Sequence, residues 1–302
     1  MKSMKKVAAL LLFGLAVFAL SACGGGSNSS SDSSSGKVEV DSDSSEQTVV
    51  NAPTVEEQVV FDQDGVVVTV KGLTLGQELF SFGPELQVLI ENNSSSNVLV
   101  QSRDGVVNGI MVEPYLSSEV TAGNKANSEI TFFSSSLEKA GIEQITDIEF
   151  KLAIIDPNTY SDISASAPII IQTSAAGSFT QTYDDSGTVM FDQDGIKIVA
   201  KRLDDQDSFW GADIYLYIEN NTNQDVIIQS RDCSVNGFMI DPFFSSDILA
   251  EKKAFSEISF LQSDLESNDI ESIDKLDLSF TIINADSWDE ILKSDIITVN
   301  FS

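Results

Sequence analysis

The sequence predicts an all-β protein built as two tandem antiparallel β-sandwiches, and three observations carry that prediction. The first is a duplication. "IENNSSSNVLVQSRDGVVNG" (Ile90–Gly109) returns 128 positions later as "IENNTNQDVIIQSRDCSVNG" (Ile218–Gly237), identical at 12 of 20 residues. The second is apolar alternation with period two, the mark of strands that bury one face. The third is the turn-rich break between successive runs, "ENNSSSN" in one repeat and "ENNTNQD" in the other.

In chain order, residues 1–22 read as a signal peptide. Lys2, Lys5 and Lys6 make a basic start, and the apolar run Val7–Ala19 is shorter than the roughly 20 residues of a spanning helix. "LSAC", Leu20–Cys23, resembles the lipobox of bacterial lipoproteins. That resemblance implies cleavage before Cys23 and a diacylglyceryl thioether on its sulfur. Two acyl chains anchor a protein stably where one does not. The expected location is therefore the outer face of a cell membrane, with the membrane as partner through the lipid. Residues 23–56 complete a lipidated cysteine and a linker. From Gly24 the linker reads "GGGSNSSSDSSSGKVEVDSDSSEQTVVNAPTV", without aromatics or an apolar face. Such a solvated segment spans about 30 Å.

The first sandwich is expected over 57–173 and the second over 188–302, with a polar linker at 174–187. "FDQDG" opens each repeat, at Phe61–Gly65 and Phe191–Gly195. "EPYLSSEV" from Glu113 matches "DPFFSSDI" from Asp241, and "NSEITF" from Asn127 matches "FSEISF" from Phe255. A repeat of about 110 residues is the size of one compact domain and too long for a solenoid unit. Ile148, Phe150, Leu152 and Ile154 share one face, as do Leu276, Leu278, Phe280 and Ile282. Leu86, Val88 and Ile90 correspond to Ile214, Leu216 and Ile218. Seven or eight such runs per repeat describe an immunoglobulin-like sandwich. It lacks the Cys…Trp…Cys pattern of antibody domains, so packing alone must hold it. Each repeat also predicts one short helical turn, with Ser135/Glu138 and Ser263/Glu266 spaced as capping boxes.

"FDQDG(V/I)", "IENN", "QSRD", "VNG(I/F)M" and the "LE" turn together resemble a family of immunoglobulin-like repeat lipoproteins of Gram-positive bacteria. The resemblance covers both repeats. It implies the sandwich fold and surface exposure, and brings no biochemical activity with it.

Composition narrows function by exclusion. With 17 basic and 47 acidic residues the net charge is −30, which argues against nucleic acid as a partner. There is no histidine, which removes Ser-His-Asp and Cys-His catalysis and His-ligated metal sites. No nucleophile-and-base motif, P-loop or dinucleotide fingerprint occurs, so the expectation is a non-enzyme without cofactor. Cys23 and Cys233 are the only cysteines. The position matching Cys233 is Gly105, so Cys233 reads as a small residue at a glycine-like site.

Several residue groups invite a binding reading and a plainer one. Asp62 with Asp64, and Asp192 with Asp194, suggest calcium. The positions that an EF-hand loop would need as ligands are Val66 and Leu73, or Ile196 and Leu203, and Asp-Gly is a hairpin turn signal. Arg103 and Arg231 could hold a carboxylate or sulfate ligand, or pair with a local acid at the sandwich rim. Met111 and Tyr115, with Met239 and Phe243, could form an exposed binding patch or plug the end of a sandwich. Phe82 and Trp210, each before an aligned glycine (Gly83, Gly211), are open in the same way. Tyr215 and Tyr217 point away from the inward set of their strand, towards either the other repeat or solvent.

The expected function is a membrane-anchored extracytoplasmic lipoprotein presenting two domains for binding a protein or cell-envelope ligand. An envelope spacer, or a ligand-capturing lipoprotein of a transport or sensing system, is the alternative.

Overall fold

The computed structural model describes residues 53–76, 82–204 and 211–301. The expected signal peptide, the expected lipidation site Cys23, the expected linker up to residue 52, and Trp210 lie outside the described residues. The fold is all-β, in antiparallel and mixed sheets with few helical residues.

In the first repeat the strands are β1 (Gln58–Gln63), β2 (Val66–Thr74), β3 (Glu85–Asn92), β4 (Val98–Val107), β5 (Ile110–Met111), β6 (Pro114–Tyr115) and β7 (Ser117–Val120). Then come β8 (Lys125–Phe132), helix α1 (Ser134–Lys139), β9 (Asp147–Ile155), β10 (Asp162–Ala165) and β11 (Ile169–Gln172). The second repeat gives β12 (Thr188–Gln193), β13 (Ile196–Asp204), β14 (Gly211–Asn220), β15 (Val226–Val235), β16 (Phe238–Met239) and β17 (Ser245–Ile248). It ends with β18 (Lys252–Leu261), α2 (Gln262–Glu266), β19 (Lys275–Asn284), β20 (Glu290–Lys293) and β21 (Ile297–Asn300).

Strand pairing repeats with the sequence. The order β1-β2-β3-β8 returns as β12-β13-β14-β18, and the pair β4–β9 returns as β15–β19. Short strands flank these pairs: β5 and β7 on β4, β10 and β11 on β9, and their counterparts in the second repeat. Alternation places the predicted residues inward. Ile148, Phe150, Leu152 and Ile154 are fully buried, as are Leu276, Leu278, Phe280, Leu86, Ile90, Ile214, Leu216 and Ile218. The buried apolar residues form two clusters, Phe61–Ile171 and Met190–Val299, one per repeat. Leu137 on α1 and Leu265 on α2 each add a buried side chain to the core of their repeat.

The repeated motifs prove to be turn chemistry. Gln63 pairs with Val66 across a two-residue loop in which Asp64 (φ 52°) and Gly65 (φ 77°) are both left-handed. Asp194 and Gly195 (50° and 84°) do the same. Positive φ at both positions makes a type I′ hairpin, whose twist matches that of its strands. Asn108–Gly109 and Asn236–Gly237 repeat the device between β4 and β5 and between β15 and β16. In "IENN" the first asparagine is fully buried. Asn92 Nδ2 donates to Ser96 O (2.8 Å) and Val120 O (2.9 Å), while its Oδ1 accepts from Ser94 N and Oγ. Asn220 makes the matching set with Gln224, Ile248 and Thr222.

One local prediction fails. Both helical turns form, but the residues at the N-cap are Phe133 and Leu261, extended and without a side-chain cap bond. Ser135 and Ser263 sit at the second helical position. The incoming strand fixes where the helix begins, and it runs one residue past β8 and through the end of β18.

Candidate interaction surfaces

The two repeats meet through a strand. Lys253 of β18 pairs in parallel with Ile110 of β5, Lys253 N donating to Gly109 O at 3.1 Å. This contact fuses β10-β9-β4-β5 of the first repeat to β18-β14-β13-β12 of the second in one ten-stranded sheet. Around it, Lys252 Nζ bonds Glu149 at 2.6 Å and Lys139 bonds Glu257 at 3.1 Å. Both ammonium groups of this acidic protein thus bridge the repeats.

The 174–187 segment braces the same joint. Tyr183 Oη donates to Asn108 O at 2.6 Å while Lys253 lies over its ring at 4.7 Å. Gln181 bonds Asn108 and Gly141. Lys201 holds Asp184 at 2.9 Å. Tyr215 lies under Arg202 and Lys139, and Tyr217 is buried against Phe255 with its hydroxyl on Glu219 at 2.6 Å. Of the outward tyrosines of β14, Tyr215 therefore serves the joint, reached by Lys139 of the first repeat, while Tyr217 packs within its own repeat. Burial first, and Glu219 second, push the Tyr217 hydroxyl far above its ordinary range.

Met111 is a correction to the exposed-patch reading. It is half-buried and packs against the core of the second repeat. It lines two open clefts at the joint, of about 340 and 400 Å³. Glu113 and Asp247 line the first of these clefts, and Asp104 and Asp247 the second. Burial, then Asp104 and Asp247, raises the Glu113 carboxyl; burial, then Asp104, raises that of Asp247.

The equivalent arginines do not form equivalent sites. Arg103 makes a two-pronged pair with Asp162, at 2.8 and 3.0 Å, and this holds the Asp162 carboxyl low. Arg231 donates to Ser230 O at 2.9 Å and to Gln229 Oε1. Each guanidinium is engaged at the rim by groups of its own repeat. Asp64 and Asp194 are consumed by their hairpins, with exposed Asp62 and Asp192 beside them. Among the described residues no three acidic or cysteine side chains converge as metal ligands. Cys233 is buried and its thiol is pushed up to about 12, chiefly by burial. It follows left-handed Asp232 in a β-bulge; Asp104–Gly105 forms the same bulge. At Gly105 a Cβ would lie 2.3 Å from Val112 O, so only the looser second repeat admits a side chain there.

The remaining candidates are exposed. Phe82 (75%) and Tyr115 (60%) flank half-buried Phe133, each ring centroid 6.3 Å from it. The corresponding positions in the second repeat hold Phe243 (65% exposed) and Leu261, with Trp210 outside the described residues. Both clusters sit where β3 or β14 begins and the helical turn starts. The glycine that follows Phe82 or Trp210 has a physical reason. A Cβ at Gly83 or Gly211 would fall 2.0 or 1.8 Å from the carbonyl oxygen of Phe132 or Phe260. Phe133, Leu261 and Tyr183 carried no signal in the sequence: their roles depend on which strand ends meet. Met239 is exposed at the tip of the β15–β16 hairpin, beside Phe238.

No protein-family model and no curated protein matches the chain. Among solved structures it is similar to the YadV chaperone, at 14% identity, covering 72% of this chain and 92% of that one, with a TM-score of 0.22. The Salmonella enterica SafA pilin in complex with the SafB chaperone follows at 12% identity, 72% and 89% coverage and a TM-score of 0.18. Red sea bream transglutaminase matches at 7% identity, covering 82% of this chain and 31% of that one, with a TM-score of 0.19. No described helix is long and apolar enough to cross a membrane.

Proposed function

We propose that this chain is a non-catalytic lipoprotein, anchored through Cys23 to the outer face of a bacterial membrane, that presents two tandem immunoglobulin-like domains as an interaction module. Two core clusters, one per repeat, and the repeated strand order support the tandem reading. The lipobox and the basic, apolar leader support the anchor.

The observation that carries the interaction reading is exposed apolar side chains in equivalent places: Phe82 and Tyr115 grouped about half-buried Phe133 in the first repeat, and Phe243 with Leu261 in the second. Solvated aromatic side chains grouped at one strand end cost free energy unless a partner covers them. Had the chain been a bare spacer, nothing would favour aromatics at both equivalent ends. The strand pairing and ion pairs that join the two repeats fit a spacer role as well, and the two roles are compatible.

Crosslinking pull-down from intact cells tests this, using the full-length lipoprotein and a Phe82→Ser/Tyr115→Ser/Phe243→Ser variant. A partner captured reproducibly by the wild type, and at least about tenfold less by the variant, is expected. Equal capture by both, or none by either, sinks the interaction reading. Labelled palmitate entering the wild type but not Cys23→Ala tests the anchor separately.

A further inference from the structure

We propose that the molecule binds a second copy of itself head to tail, repeating between molecules the strand contact that joins its own two repeats. The joint is made from one edge of each kind: β5, at the rim of the β4–β9 sheet, docks on the outer edge of β18 beside Lys253. The duplication supplies both edges a second time, and among the described residues both are uncovered. β16 is the counterpart of β5, reached through the same Asn-Gly hairpin and lying at the end of its sheet. β8 is the counterpart of β18. Only its far end is paired on the outer side, Thr131 and Phe132 with β6, and nothing pairs there at Lys125, the counterpart of Lys253.

The side chains on β16 point the same way. In the first repeat Ile110 is fully buried by the joint and Gly109 lies under the Tyr183 hydroxyl. In the second repeat their counterparts are open: Phe238 and Met239 are 49% and 70% exposed, and nothing lies within 4 Å of a Cβ at Gly237. An uncovered edge strand with an apolar tip is a template for strand addition. By equivalence, Phe238 of one molecule sets beside Lys125 of the next, its hairpin carbonyl accepting from the Lys125 N–H. This interface uses two different surfaces, so each bound molecule keeps a free edge and the association grows past a symmetric dimer, into chains or larger rings.

The contact is smaller than the internal one. Gln87 and Asn127 stand on the receiving face where the internal joint has Tyr215 and Phe255. Acidic groups face each other across it, Asp241 and Asp277 against Glu119 and Glu129, with no counterpart of the Lys252–Glu149 pair. Salt should therefore strengthen the association by screening.

Sedimentation equilibrium of the full chain, from micromolar to about 1 mM protein, tests the proposal. The expected result is an average mass that rises with concentration past the dimer and rises further with added salt. Phe238→Asp/Met239→Asp removes the donor edge, and Lys125→Pro removes the receiving N–H while sparing the inner ladder. Each variant alone should stay monomeric, with unchanged circular dichroism and melting temperature, and an equal mixture of the two should stop at a one-to-one dimer. A wild type that stays monomeric throughout, a mass that stops at the dimer, association weakened by salt, or variants that associate like wild type would each overturn it.

Discussion

Asn92 and Asn220 show what the duplicated "IENN" conserves within this chain. Each is fully buried, and each amide donates to a turn carbonyl and a strand-end carbonyl while its oxygen closes the next turn. Replacing one by alanine strands several buried backbone groups at once, and each such loss costs about 1–3 kcal/mol. We expect Asn92→Ala and Asn220→Ala each to lower stability by about 2–4 kcal/mol in urea denaturation; a loss below about 0.5 kcal/mol would mean water replaces the amide. Gly211 makes a second residue-scale case. Its φ of 136° and the Phe260 carbonyl 1.8 Å from a built Cβ leave no room for a side chain. Gly211→Ala should cost at least about 1–3 kcal/mol, whereas Gly72→Ala, with nothing within 4 Å, should be nearly neutral by the same assay.

At the scale of elements, legibility followed the range of the interaction. Strand faces were readable because alternation is a local property: a side chain's face is set by its parity. Asp-Gly turns were readable for the same reason, since a two-residue hairpin needs positive φ at both positions. The helix caps were misread because spacing alone cannot say which residue ends the incoming strand. Phe133 and Leu261 hold the N-cap places in extended conformation, and the serines follow two positions later. Met111 was read with Met239 because the two are equivalent in sequence. They part company in the fold because β5 has a strand to dock on, and no described strand covers β16.

For the whole molecule, the joint carries a pH dependence whose sign can be worked out. Glu113 and Asp247 titrate above the ordinary carboxylate range because burial and neighbouring acids disfavour their charged forms. Lys139 and Glu257, and Lys151, Asp225 and Trp288, line the same clefts. A carboxyl raised in the fold holds its proton more tightly than in the unfolded chain. Its contribution to stability is therefore complete below about pH 4 and is lost as pH rises through the raised value. Asp184 runs the other way. Ser186 first, and then Lys201, hold it down to about 2, so its small exposed contribution is present above about pH 4 and lost on acidification. The Glu113→Gln/Asp247→Asn variant should therefore melt higher than wild type at pH 7 and at the same temperature near pH 3.5. Calorimetry across that range checks this; a gain of equal size at both pH values would place its cause outside titration.

The sequence by itself determined the sheet class, the duplication, the hairpin turns and which side chains face inward. All of these follow from backbone geometry over a few residues, repeated twice. Tertiary structure alone decided that Arg103 is spent on Asp162, that Tyr183 and Lys139 brace the two repeats, and that one hairpin tip is covered while its twin is bare. Those outcomes depend on contacts between segments far apart in the chain, as in Ile110 beside Lys253, 143 positions on, where nothing local constrains the partner. Equivalence in sequence gives two such residues the same backbone; only their neighbours in space give them different work.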